Sequence, residues 1–220
     1  MFDAISFSGC LLCDEVRGEY PLSLRLGLYA TAADKVIMET EHFLLLPDIS
    51  PIVPGHSLLI SKDHFPCFTQ LPNSMLEEFR DARDKAVSRI AATYGEPLLF
   101  EHGSSSDTRR SGVCVQHAHI HLLPVRAPVE DWLEKFGELV PFDLFTADSR
   151  QNLPEDYLWY RNQLGSEYLV SNFYESIPCQ FIRRALAQHL AISNWNWKSI
   201  LVPHPGEPEL AAATTNTWRE

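Results

Sequence analysis

Apolar positions along this chain recur with two different periods, which divide it into short strands and one long helix. Val36–Met38, Phe43–Leu46 and Ser57–Ser61 are compact aliphatic runs that predict strands, the first two joined by a polar turn at Thr40–His42. Asp48–Gly55 carries Pro51 and Pro54 and reads as a loop. From 74 to 93 the period becomes helical. Leu76, Phe79, Ala86, Val87, Ile90 and Ala91 form one stripe, Ser74 and Glu77 have capping-box spacing, and Gly95 marks a stop. Pro97–Glu101 predicts another strand and Ser104–Gly112 a polar loop.

The next segment, Val113–Pro124, is read as a strand, and within it the alternation is strict. Ala118, Ile120 and Leu122 alternate with His117, His119 and His121. On a strand, successive side chains leave opposite faces, so the three apolar residues enter a core while three imidazoles share one polar surface. Imidazoles crowded in that way bind a metal, bind an anion or do chemistry. A neutral imidazole, with an ordinary pKa near 6.5, can attack phosphorus without first losing a proton.

Beyond Arg126 the composition shifts. Aromatics become dense through Trp132, Phe136, Phe142, Phe145, Tyr157, Trp159 and Tyr160. Leu158–Arg161 and Tyr168–Val170 predict strands, and Pro178–Leu190 a helix with Pro178 in its first turn. Pro203–Glu220 is rich in Pro, Ala, Thr and Glu and reads as a flexible tail. At 220 residues and 45% hydrophobic content the chain supports one large core, or one core with an elaborated extension. No apolar run is long enough to span a bilayer, and no basic, apolar leader opens the chain, so a cytoplasmic protein without membrane association is expected. A net charge of -11 argues against nucleic acid as a partner, because phosphate-backbone affinity comes from clustered Lys and Arg; a small phosphorylated ligand stays open. Five cysteines, an odd number, fit reduced thiols better than a disulfide framework. Cys10 and Cys13 form a Cys-x-x-Cys pair that is a metal clip, a redox pair or a coincidence; Cys67 and Cys179 have no motif around them.

The run His117-Ala118-His119-Ile120-His121-Leu122-Leu123 resembles the signature of the histidine triad superfamily of nucleotide hydrolases and transferases. Asp48-Ile49-Ser50-Pro51 followed by Gly55–His64 is similar to the second block of that family, and Cys10-Leu11-Leu12-Cys13 to the opening of its zinc-containing branch. The resemblance covers roughly residues 8 to 126. It implies an α+β fold: an antiparallel sheet of about five strands, crossed by the 74–93 helix. The organisation is then a catalytic domain at 1–126, a mixed extension packed on it at 127–202, and the tail at 203–220.

By the same resemblance His119 is the nucleophile and would carry a nucleotidyl-histidine intermediate, with His121 and His56 contacting the phosphate. Asp48 would accept from the ribose hydroxyls, and Leu46 and Ile49 would line the base pocket, although ordinary core packing explains those two equally well. The zinc-containing branch adds His64 and His117 to Cys10 and Cys13 as a closed, structural Zn²⁺ site. Minimal family members form two-fold homodimers. A plain metal site, or a histidine-rich edge strand, remains the alternative for the triad taken alone.

Two positions depart from the family pattern. Gly112-Val113-Cys114 stands in place of Gly-Gln-Ser, so Cys114 replaces a serine that assists the leaving group. Glu101 occupies the place of a phosphate-contacting amide, where a carboxylate needs a partner such as Arg109 or Arg110. His42 and His102 are read as bystanders. The segment Ile177–Arg184, with Gln180 and two arginines, either closes over the site, supplying phosphate contacts, or packs against the core or across a dimer. The resulting expectation is a hydrolase that cleaves a nucleoside-phosphate P–O or P–N bond and releases a nucleoside monophosphate. A nucleotidyltransferase or phosphorylase, and a non-catalytic nucleotide-binding module, are the rivals.

Overall fold

The computed structural model describes residues 9–19, 21–105, 109–144, 146, 153–193 and 195–201. Residues 1–8, Tyr20, part of the polar loop (106–108), Phe145 and the expected tail (203–220) lie outside the described residues.

Among the described residues eight strands form one sheet: β1 (Met38–Glu39), β2 (Phe43–Pro47), β3 (Ser57–Ser61), β4 (Leu98–Ser104), β5 (His119–Leu123), β6 (Val140–Pro141), β7 (Asp156–Arg161) and β8 (Glu167–Val170). Their spatial order is β1-β2-β3-β5-β4-β7-β8-β6, with each neighbouring pair antiparallel. The expected sheet of about five strands is thus too small. β1 to β5 account for it, and the residues beyond Arg126 add β7, β8 and β6 along the outer edge of β4. Pairing from Leu99↔Arg161 to Ser104↔Asp156 satisfies backbone groups that an edge strand would leave open. Close approach of β7 needs a glycine at 103, because a Cβ there would lie 2.0 Å from the ring of Tyr157.

Each face of the sheet has its own core. Helix α3 (Leu76–Tyr94) lays Phe79, Ala82, Ala86 and Ile90 on Phe43, Leu45, Leu59, Ile120 and Leu122. Its start differs from the expected capping box. A 3₁₀ turn at Asn73–Met75 leads into the helix, and Met75 sits at the N-cap without a side-chain cap. Burial of Met75 in the core outweighs the single hydrogen bond Ser74 would make.

The opposite face is covered at its two ends and open between them. At one end α1 (Leu11–Arg17) packs Leu12 on Leu44, Leu46, Leu58 and Ile60. A short α2 (Leu22–Arg25) follows it. At the other end α4 (Val129–Leu133) and α5 (Phe181–His189) pack Leu133, Ile182 and Leu186 on Phe100, Leu158 and Tyr160. Helix α5 starts later than its pattern predicts, because Gln180 adopts a left-handed conformation (φ 59°).

Candidate active site

The gap between α1 and α5 is a cleft whose floor is β5. The β5 register sets His121 opposite Leu58 on one side and Phe100 on the other, and His119 opposite Ile60. Alternation does the rest. Ala118, Ile120 and Leu122 are fully buried under α3, while His119 and His121 line the cleft. Phe100 stacks on His121 with ring centroids 4.5 Å apart, which holds that imidazole in one plane.

Hydrogen bonds set the tautomers. His119 Nδ1–H donates to the backbone carbonyl of His117 at 2.6 Å, leaving Nε2 as the ring nitrogen with a lone pair. His56 Nδ1 accepts from Ile52 N at 3.2 Å, so its proton is on Nε2, 3.0 Å from His121 Nδ1. That bond places the His121 proton on Nε2. Burial lowers the pKa of His119, and burial with its histidine neighbours lowers that of His121 well below the ordinary value. His56 is pushed down to about 4 by burial, with Asp48 opposing. All three are neutral at pH 7.

Asp48 closes the cleft beside them. Its Oδ1 accepts from Ser50 N at 2.8 Å, and its Oδ2 lies 3.4 Å from His56 Nε2 and 3.7 Å from His121 Nδ1. Arg183 of α5 donates to the same oxygen at 3.0 Å. Asp48, His56 and His121 are metal-ligand types, yet the guanidinium already supplies their cation and would repel a second one.

A second cluster sits where α1 meets the start of β5. One helical turn puts Cys10 and Cys13 on the same face. Cys10 Sγ lies 3.3 Å from His117 Nδ1, and Cys13 Sγ lies 3.3 Å from His64 Nδ1 and 3.5 Å from His117 Nδ1. All four ligand atoms lie within 4.8 Å of one another. These are close to the edges of a tetrahedron built on metal–ligand bonds of roughly 2.0–2.3 Å. His117 Nε2–H donates to Ser61 O at 2.8 Å, so Nδ1 is the nitrogen left to ligate. Burial pushes the Cys13 thiol up to about 11 and the His117 imidazole down to about 4; a neutral imidazole suits a metal, and the thiol must lose its proton on binding.

The cleft extends from the histidines to an aliphatic chamber lined by Leu12, Leu46, Ile49 and Leu58, with the buried pair Lys35–Glu15 and Ser23 at its wall. That polar group carries no motif and is assembled by tertiary contact alone. His102 also lines the cleft, and burial lowers its pKa to about 4. That placement differs from the bystander reading, since a single histidine near a loop gives no periodic signal. His42 is elsewhere, bonded to Glu78.

Two expected substrate contacts differ. Glu101 is not among the residues lining the cleft. It alternates to the α3 side of β4 and accepts from Phe68 N at 2.9 Å and the Tyr157 hydroxyl at 2.5 Å. Arg109 donates to Gln116 and Arg110 to Phe173 O, so neither serves Glu101. Cys114 lines the cleft but is disulfide-bonded to Cys179, so it has no thiol hydrogen to donate. The expectation that these two cysteines are reduced is thereby overturned. The bridge is possible because Gly112 (φ 77°) lets the chain pass against the Ile177 and Pro178 carbonyls, where a Cβ would lie 2.8 Å from both.

A family model described as "HIT domain" matches residues 30–127. An uncharacterised HIT-like protein of Methanocaldococcus jannaschii is 30% identical over 137 residues, covering 61% of this chain and 92% of that protein. The chain therefore belongs to the histidine triad (HIT) family. The adenylylsulfatase HINT3 of Arabidopsis thaliana is 29% identical over 118 residues, 52% of this chain and 51% of its own length. Among solved structures, a HIT family member from Bacillus subtilis superposes with a TM-score of 0.43 at 21% identity, covering 66% of this chain and 92% of its own. A zinc-bound histidine triad protein from Mycobacterium smegmatis gives 0.42 at 22% identity, covering 55% and 77%. Among the described residues no helix is long and apolar enough to cross a membrane.

Proposed function

We propose that this chain is a nucleotide hydrolase acting through a covalent nucleotidyl-His119 intermediate and releasing a nucleoside monophosphate. The observation that carries the reading is the His119 ring: Nδ1–H is held by the His117 carbonyl, which turns an unprotonated Nε2 into the nucleophile. Nε2 attacks the α-phosphorus, an N–P bond forms, and the bond from phosphorus to the leaving group breaks with its electron pair. Water then attacks the same phosphorus, its proton passes to solvent, and the N–P bond breaks to return neutral His119. His121 Nε2–H, polarised through the His56 bond, donates to the non-bridging oxygens as charge builds there.

The aliphatic chamber takes the base, with Leu46 and Ile49 in its wall. Asp48 takes the ribose. Because Cys114 has no proton to give, leaving groups that depart as stable anions are favoured over amines, which supports P–O over P–N cleavage. The name of the Arabidopsis relative, an adenylylsulfatase, is consistent with such a leaving group. Phosphate or a phosphorylated metabolite in place of water would make the same intermediate that of a phosphorylase or transferase.

Cys10, Cys13, His64 and His117 would hold a structural Zn²⁺, a closed four-ligand site with no position for substrate. A bound metal there supplies no chemistry to the reaction. The four residues join α1 to the start of β5 and so steady the His117 carbonyl. The reading includes a cytoplasmic location and a two-fold homodimer. Because β4 is paired on both sides within one chain, such a dimer could not be built by strand pairing along β4.

Intact-protein mass spectrometry after brief mixing with dinucleoside polyphosphates, nucleotide-sugars, adenylyl sulfate and an adenosine phosphoramidate tests the reading. Wild type gains one nucleoside monophosphate and His119→Ala does not, with turnover falling by at least about a thousandfold. Nucleotide binding with no adduct and no turnover across the panel would favour the non-catalytic module.

A further inference from the structure

The residue that fixes Asp48 comes from outside the region the family model matches. Arg183 is nearly fully buried and directs its whole fork at backbone and site. Its Nε donates to Trp195 O at 3.0 Å, one terminal nitrogen to Asp48 Oδ2 at 3.0 Å, and the other to Ser50 O. It thus grips the Asp48–Ser50 loop at both ends, with three of its five N–H groups.

We propose that Arg183 is a positioning residue for ribose recognition: it holds the Asp48 carboxylate in the orientation that accepts the two ribose hydroxyls of the substrate. The site is therefore complete only with the C-terminal extension in place.

The inference rests on the nucleotide reading above, and its chemistry is one of lone pairs. A carboxylate offers about four acceptor sites. Ser50 N takes one on Oδ1 and Arg183 takes one on Oδ2. In the tautomers assigned above the His56 proton goes to His121, so each oxygen keeps an acceptor site for a hydroxyl. Asp48 and Arg183 both line the cleft. A planar guanidinium can reach Asp48, Ser50 and Trp195 at once, which a point-charge ammonium cannot. Helix α5 is itself anchored immediately upstream, by the Cys114–Cys179 bridge and by Gln180, whose amide donates to Asn196 Oδ1 at 2.9 Å and accepts from Trp197 N at 3.1 Å.

The test is calorimetric binding of nucleoside monophosphates of the four bases and of their 2′-deoxy counterparts to wild type, D48N, R183Q and R183K. Wild type prefers the ribonucleotide by about ten- to a hundredfold, the range for a hydrogen bond to a charged group. D48N, R183Q and R183K each bring the two ligands to within about threefold of each other. R183K keeps the buried cation, and carries the test if thermal melting shows R183Q unfolded. Arg184→Gln, one residue along the same helix, retains the wild-type preference.

If folded R183K and R183Q keep that preference while D48N loses it, the role of Arg183 is overturned and the Asp48 reading stands. Equal affinity of wild type for both sugars would overturn the ribose contact and the proposal with it. No nucleotide binding by wild type would remove the nucleotide reading itself.

Discussion

His119 donates its Nδ1–H to the carbonyl oxygen of His117, 2.6 Å away, while the His117 side chain belongs to the Cys10–Cys13–His64 cluster. One residue thereby joins the candidate nucleophile to the candidate metal centre, through its backbone on one side and its ring on the other. This link predicts that changes at the cysteines reach His119 without touching its cleft.

Metal removal is the direct check. The purified protein is expected to carry one zinc per chain by elemental analysis, and Cys10→Ala to carry none. Stripping the metal should lower the melting temperature and cut turnover by up to about a hundredfold, through loss of the orientation imposed on His119. Two zinc ions per chain, or full turnover in the stripped protein, would count against this link.

The Cys114–Cys179 bridge predicts a redox-dependent stability. Thiol titration of the unreduced, unfolded chain should find three thiols, Cys10, Cys13 and Cys67, and five after reduction. Reduction, or Cys179→Ser, should cost about 2–4 kcal/mol in denaturant unfolding, since the bridge closes a long loop. Five thiols before reduction would show that the bridge does not form in solution.

Acid should destabilise the fold before its carboxylates titrate. Burial depresses His56 and His102 to about 4 in the folded chain, against an ordinary value near 6.5. Between those values the unfolded state binds more protons than the folded one. Stability is therefore fully present above about pH 6.5 and declines as pH falls toward 4. Melting temperatures measured across that window should drop steadily, and a flat or rising series would contradict the neutral, buried assignment.

Gly103→Ala probes the junction of core and extension. The added Cβ would lie 2.0–2.5 Å from the Tyr157 ring and hydroxyl, and Tyr157 is locked by its bond to Glu101. Overpacking of this kind costs about 1–3 kcal/mol or more. Chemical denaturation of the variant measures it, and wild-type stability would mean that β7 can move away from β4.

Much of this was legible beforehand, for identifiable reasons. Helix α3 and strands β2 and β3 follow from side-chain period alone, because each buries one face against one partner. The histidine alternation foretold that His119 and His121 would share a face opposite Ile120 and Leu122, since a strand has no other way to arrange them. The Ser74 cap failed because capping is a local preference of about 1 kcal/mol, which burial of Met75 exceeds. Glu101 was misplaced for the same kind of reason. Its partners, Phe68 and Tyr157, lie 33 and 56 residues away along the chain, and no local pattern announces them.

Sequence by itself determined the family, the histidine face and the residue types able to hold a metal, all of which depend on short-range spacing. Only the tertiary structure decided that β7, β8 and β6 complete the sheet, that Cys114 spends its sulfur on Cys179, and that Arg183 meets Asp48 across 135 residues. Those are choices among partners distant along the chain. They are settled by which surfaces bury together, a property of the packed molecule rather than of any segment.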